Sequence, residues 1–300
     1  MEKLHVEMGS GPFTGENGKH NLEECLETAE KLGFDFGVQL HNTASADDIR
    51  FLQSAGVKLS AHAPLNSRWI WNFAAEEVGY LFDSVRENVE LFRSCGIRDS
   101  VFHGFIMTDK PVEAFGHGKT YRECMGEIYR EELMHSPGSI FNGDFFSTDE
   151  FFMRRERFRE RLAVIRREYP DVSFRVENDF PAFGSGDLFA DQLVPLENPL
   201  CLDTGHMWIS CRFFDREFHE ECAKMLDSGR VTMLHLHASI YDDSYPLEKW
   251  SDGHRPLATP NVMDLPRLVN NAIRADMRYF VLEIPKGTAE DLRVLASWIR

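Results

Sequence analysis

Val57-Lys58-Leu59-Ser60-Ala61-His62, the stretch Ala75 to Cys95, and Asp99-Ser100-Val101-Phe102-His103 read as strand, helix and strand. In the middle stretch Val78, Leu81, Phe82, Val85, Val89 and Phe92 recur every three or four residues, which puts them on one helical face. Gly96 ends that helix, as a glycine just past the last apolar residue does. The flanking segments are short and apolar, as strands covered on both faces are. The same unit recurs outward in both directions. Leu4 to Met8, Phe36 to Leu40, Val172 to Glu177, Leu200 to Asp203, Val231 to His237 and Phe280 to Ile284 read as further strands. Helices are expected over Asn21 to Leu32, Ala46 to Ala55, Asp149 to Tyr169, Asp187 to Leu196, Phe214 to Leu226, Leu265 to Ala275 and Ala289 to Trp298. Eight such alternations predict an α/β fold, a single (β/α)8 TIM barrel occupying residues 1–300 as one domain. The rhythm breaks between Gly104 and about Ser147, a long stretch rich in Phe and Gly. It reads as an insertion after the fourth strand, placed where a lid over the active site would sit.

The totals agree with one large domain. The chain has 300 residues, 43% hydrophobic and 27% charged, an ordinary globular mix able to bury a core without cross-links. Six cysteines, none spaced C-x-x-C, read as reduced thiols. Met1 to Glu7 lacks the apolar core of a secretory leader. No apolar run approaches a membrane span, so the expectation is a cytoplasmic protein with no membrane partner. The net charge is −16. Even about three bound divalent cations would leave the chain strongly acidic, which disfavours DNA as a partner.

The strand ends carry the chemistry. The third ends in His62, the fourth in His103, the fifth in Glu177, the sixth in Asp203 with His206 three residues on, the seventh in His235, and the eighth in Glu283; Asp252 and His254 lie between the last two strands. In a (β/α)8 barrel these carboxyl ends meet at one rim. Gathering so many carboxylates and imidazoles there is costly unless cations compensate. A His with Asp/Glu set suits zinc, manganese or iron.

These residues resemble the xylose-isomerase-like TIM barrel superfamily, the AP endonuclease family 2 group, and in their full ligand set endonuclease IV. The resemblance runs from His62 to Glu283 as spaced motifs. It implies that Glu177, Asp203, His235 and Glu283 hold the metal common to the superfamily, where the sugar isomerases and epimerases use one ion. It further implies a trinuclear centre, with zinc the first choice of cofactor and manganese the second. His62, His103 and Glu177 would take one ion, Glu177, Asp203, His235 and Glu283 the next, and His206, Asp252 and His254 the third. The activity so implied is a metal-dependent hydrolase acting on a phosphoester; the alternative is a sugar or sugar-phosphate isomerase or epimerase with Glu177 and Glu283 as its acid/base pair. The partner expected in either case is a small phosphorylated or sugar substrate.

Other residues are read more plainly. His237 shares a strand face with His235 and is either a substrate contact or a residue behind the ligands. His41, with His5, His20 and His219, is expected to be structural or exposed. Trp69 and Trp71 suit either stacking on a base or sugar or packing. Asn72 is either a helix cap or part of the family's motif. The arginines of 154–167 alternate with glutamates and read as a solvated, ion-paired face.

Overall fold

A computed structural model of the protein describes residues 3–15 and 17–299; the start of the Met1–Glu7 stretch lies outside the described residues. The chain runs β1 (His5–Gly9), α1 (Gly18–Leu32), β2 (Asp35–Leu40), α2 (Ala46–Ser54), β3 (Lys58–His62), α3 (Gly79–Cys95) and β4 (Asp99–Phe102). It continues through α4 (Tyr121–Gly126), α5 (Asp149–Glu168), β5 (Ser173–Glu177), α6 (Ala190–Leu193), β6 (Leu200–Asp203), α7 (Thr204–Phe213) and α8 (Phe218–Asp227). β7 (Val231–Leu236), α9 (Leu265–Arg274), β8 (Tyr279–Leu282) and α10 (Ala289–Trp298) complete it. The eight strands are parallel and close on themselves in chain order. Among the described residues no helix is long and apolar enough to cross a membrane.

Strand side chains alternate between two environments. Phe102, Val176, Leu202, Leu234 and Leu282 belong to the main core between strands and helices. Val101, Cys201, Met233 and Val281 form a separate buried cluster, the filling of the barrel. Near the amino-terminal end of the barrel, buried Glu7 accepts from His5 Nε2 at 2.9 Å and Tyr279 Oη at 2.8 Å, and from Ser60. Residues two steps further along the inward register reach the opposite rim.

Helix boundaries depart from the pattern where side chains take over the backbone. α3 begins at Gly79, not Ala75, because Arg161 donates to the carbonyls of Phe73, Ala75 and Glu76 and holds them out of a helix. The helix expected over Asp187 to Leu196 shrinks to α6 and a 3-10 turn at Val194–Leu196, where Pro195 supplies no N–H. The helix expected over Phe214 to Leu226 starts later, as α8 capped by Glu217, and a helix not expected from the sequence, α7, precedes it, beginning directly after β6 and capped by the Asp203 carboxylate.

The segment between β4 and α5 has little regular structure and is held by side chains. Buried Asn72 caps no helix; its amide donates to the carbonyls of Ile106 and Thr108, and its oxygen accepts from the amides of Ala74 and Ile106. Buried Asn142 bridges to Ser185 O at 2.9 Å and Gly184 N at 2.8 Å. Arg154 of α5 is buried and forks onto Asp109 at 2.7 and 2.8 Å while reaching Glu150 at 2.9 Å. That hydrogen bonding holds the Asp109 carboxyl below the usual carboxylate range, against partial burial. Arg154→Met should therefore lower stability by on the order of 2 kcal/mol at neutral pH, read by urea unfolding. A depressed carboxyl stabilises the fold above its unfolded pKa, so the difference between wild type and variant should narrow as pH falls through the acid range.

Candidate metal centre

The barrel register delivers the side chains. His62, His103, Glu177, Asp203, His235 and Glu283 each stand two residues beyond an inward neighbour (Ser60, Val101, Arg175, Cys201, Met233 and Val281) and so converge at the carboxyl rim. Glu177 lies at the centre, fully buried. Its Oε1 is 2.7 Å from His235 Nδ1, and its Oε2 is 3.0 Å from His62 Nε2 and 3.5 Å from His103 Nε2. His235 Nδ1 also lies 3.2 Å from Glu283 and 4.0 Å from Asp203. Glu177, Asp203, His235 and Glu283 thus form one compact group, and His62 and His206 join Glu177 in two others.

Beside it stands a second pole. Asp252 Oδ2 lies 2.9 Å from His206 Nε2 and 2.6 Å from His254 Nε2. Asp203 caps α7 through the His206 amide at 2.7 Å, which fixes His206 one helical turn above it. Gly253 is required there, since a Cβ would strike the Ala238 carbonyl, and His254 adopts φ 41°. Asn178 clamps the backbone of Asp203 from both sides, donating to its carbonyl at 3.0 Å and accepting from its amide at 2.7 Å. All nine residues expected from the sequence meet at one mouth. The triads His62/His103/Glu177 and His206/Asp252/His254 each share one carboxylate oxygen rather than closing as compact groups of their own.

The donor chemistry fits divalent cations. Both Glu177 oxygens, both His235 nitrogens and Asp203 Oδ2 are buried without a hydrogen-bond partner, whereas buried Glu7 in the same barrel is fully satisfied. Such orphans are rare unless another group supplies the missing contact. A tetrahedral zinc with bonds of ~2.0 to 2.1 Å separates its ligand atoms by roughly 3.3 Å, the middle of the spacing seen here. His206 Nδ1 and His254 Nδ1 lie 2.8 and 2.9 Å from the backbone carbonyls of Asn178 and Glu283. A carbonyl only accepts, so each Nδ1 carries the proton, and the Nε2 lone pair of a neutral ring is left to face Asp252.

Protons compete for the same places. Burial works against a charged His206, but Asp203 and Asp252 facing it drive its pKa well above the ordinary value; His254 is raised to about 10 in the same way by Asp252 and Glu283. Burial would raise the carboxyls of Glu177, Asp252 and Glu283, yet the facing histidines hold all three well below the carboxylate range. A cation binding here would release those protons.

His41, read as structural or exposed, belongs to this rim. It follows β2 in the same inward register, stacks on His62 at 5.4 Å and lies 3.9 Å from Glu283, and burial pushes its pKa down to about 4. The strand-end rule that found the other six applies to it equally. Trp71 is buried among Phe73, Phe102 and Phe174 with its N–H on Ser84, which leaves it no face for stacking on a substrate. A cavity of about 490 Å³ opens over the rim, walled by Ile106, Phe115, Tyr121 and Met125 of the β4–α5 segment and by Phe180. No lysine or arginine lines it among the described residues.

No protein-family model matches the chain, and no curated protein does. Solved structures do match over nearly the whole length. A D-tagatose 3-epimerase-like protein aligns at TM-score 0.59 and 12% identity over 98% of this chain and 97% of its own. An AP endonuclease, family 2, from Brucella melitensis aligns at 0.56 and 14% over 99% and 100%. The D-allulose 3-epimerase from Methylomonas sp., in complex with D-allulose, aligns at 0.53 and 10% over 98% and 90%. This chain shares the fold of all three. Fold likeness at such identity leaves the reaction to be argued from the site.

Proposed function

We propose that the protein is a metal-dependent hydrolase of small phosphoesters, built as one barrel domain with the 104–147 segment as the lid over its site. One observation carries this reading. Asp252, gripped by His206 and His254, stands beside the four-residue group of Glu177, Asp203, His235 and Glu283, and single-ion sugar chemistry has no use for that second pole. His62, His103, Glu177, Asp203, His206, His235, Asp252, His254 and Glu283 would hold up to about three divalent ions, zinc foremost and manganese next. Ions so held supply an activated water and neutralise phosphoryl oxygens. Glu177, faced by His62 and His103 on one oxygen and His235 on the other, would serve as a ligand to more than one of these ions. Glu283, whose carboxylate reaches the cavity, orients the attacking water. The apolar wall keeps bulk water from the bound ester, and a cavity without cationic side chains favours a small substrate over a nucleic-acid backbone.

The second reading is a sugar or sugar-phosphate epimerase. It is favoured by Glu177 and Glu283 both reaching the same nitrogen of His235, at 2.7 and 3.2 Å, the arrangement of an acid/base pair around one ion, and by the epimerases among the structural neighbours. Elemental analysis of protein purified without chelator, paired with assays of bis-(p-nitrophenyl) phosphate hydrolysis and ketose C3 epimerisation, separates the two. Two to about three ions per chain with ester cleavage is the expected result. A single ion with epimerisation would replace the first reading by the second.

A further inference from the structure

Three histidines surround Asp252, and their backbone partners sort them into two kinds. His206 and His254 turn Nδ1 to carbonyls. His237 does the opposite: its Nδ1 lies 2.9 Å from the backbone N–H of His254 and accepts from it. The Ala238 carbonyl is also near that nitrogen, but at 3.5 Å, the outer limit of a hydrogen bond. An Nδ1 that accepts carries no proton, so the ring's proton is on Nε2. That Nε2 is buried, without a well-aligned partner, and points between two carboxylates: 3.4 Å from Asp203 Oδ2 and 3.5 Å from Asp252 Oδ1.

We infer that His237 is a positioning residue, a clamp whose Nε2–H spans Asp203 and Asp252 and fixes the spacing between the second and third ion positions. His237 lies near enough to Asp203 and Asp252, and to His254 and Glu283, to join a cation group, but with Nδ1 taken by the His254 amide and the proton on Nε2 the clamp role excludes ligation. The inference rests on the trinuclear reading above. The surroundings hold the ring in place. His237 stacks on His254 with centroids 4.3 Å apart, its backbone N–H and C=O both engage the Thr204 hydroxyl at 3.3 Å, and its edge lies against Gly205, where a Cβ would come within 2.7 Å of Nε2 and closer still to Cε1. One ring therefore touches the cap of α7, the end of β7 and the Asp252–His254 loop, the three places that supply the ligands of the two ions. Residues that orient ligand carboxylates in this way tune metal affinity without touching the metal.

Two measurements test it. In the zinc-loaded wild type, a long-range proton–nitrogen NMR correlation, with His237 assigned by the signal lost in His237→Gln, should show the ring proton on Nε2. A proton on Nδ1, or a cadmium coupling at Nε2 after metal exchange, would overturn the inference. In chelator-competition titrations His237→Phe should weaken two of the ions roughly 10- to 100-fold and spare the ion bound by His62 and His103. His237→Gln, which keeps an N–H donor at similar reach, should recover most of that loss. Equal weakening by both variants, or of every ion alike, would also overturn it. Wild type holding a single ion would instead sink the trinuclear reading, and the ring tautomer would then decide the clamp on its own.

Discussion

Glu177→Ala should abolish activity and remove the stabilisation that zinc gives the wild type. Its carboxylate is reached by His62, His103 and His235, so on the proposed trinuclear reading its loss would strip a shared ligand from two ion positions at once. A ligand that binds only the folded state adds about 4 kcal/mol at a thousandfold excess over its dissociation constant. The wild-type melting temperature should therefore climb steeply with zinc and fall on chelation, while that of Glu177→Ala stays nearly flat. Glu7→Gln is the control. Glu7 is as buried as Glu177, but its partners are all within the protein. Removing its charge should lower the melting temperature by the same amount with and without zinc. A zinc-dependent rise of undiminished size in Glu177→Ala would mean that the ions, if bound, sit elsewhere.

The barrel was legible because its strands are short apolar runs bounded by amphipathic helices with glycine stops, such as Gly33 and Gly96, both in the left-handed conformation. The rim was legible for a related reason: in a closed parallel sheet the register is fixed by the apolar residues that alternate outward, such as Ala61, Phe102, Val176, Leu202, Leu234 and Leu282, so His62, His103, Glu177, Asp203, His235 and Glu283 had one place to go. His41 obeys the same rule after β2, but a lone histidine past a strand carries little signal by itself. What stayed hidden depends on contacts distant in sequence. The donor role of His237 is set by the amide of His254, 17 residues away. α7 was concealed because Asp203 is both a site residue and a helix cap. The β4–α5 segment has no apolar period to read, since Asn72, Asn142 and Arg130 hold it through bonds to backbone carbonyls and amides.

Gly205→Ala should be nearly as damaging as loss of a ligand, though it removes no functional group. Gly205 lies in the first turn of α7, and an added methyl would fall 2.5 Å from Asp252 Oδ1 and 2.7 Å from His237 Nε2. Both partners are confined, His237 by its stack on His254 and Asp252 by His206 and His254. The methyl can be accommodated only by pushing the Asp252–His254 loop away from Asp203. Overpacking of this kind costs about 1–3 kcal/mol, and a displacement near 1 Å at a reacting centre costs on the order of 100-fold in rate. The expected result is a lower melting temperature, one fewer ion per chain, and activity reduced by about that factor. Because the closest part of the clash is with the His237 ring, Gly205→Ala combined with His237→Ala should be more stable than the sum of the two single effects allows, the signature of coupled neighbours in a double-mutant cycle. Strict additivity would show that the methyl acts on the α7 backbone instead, and that the contact between Gly205 and His237 does not set the spacing of the two carboxylates.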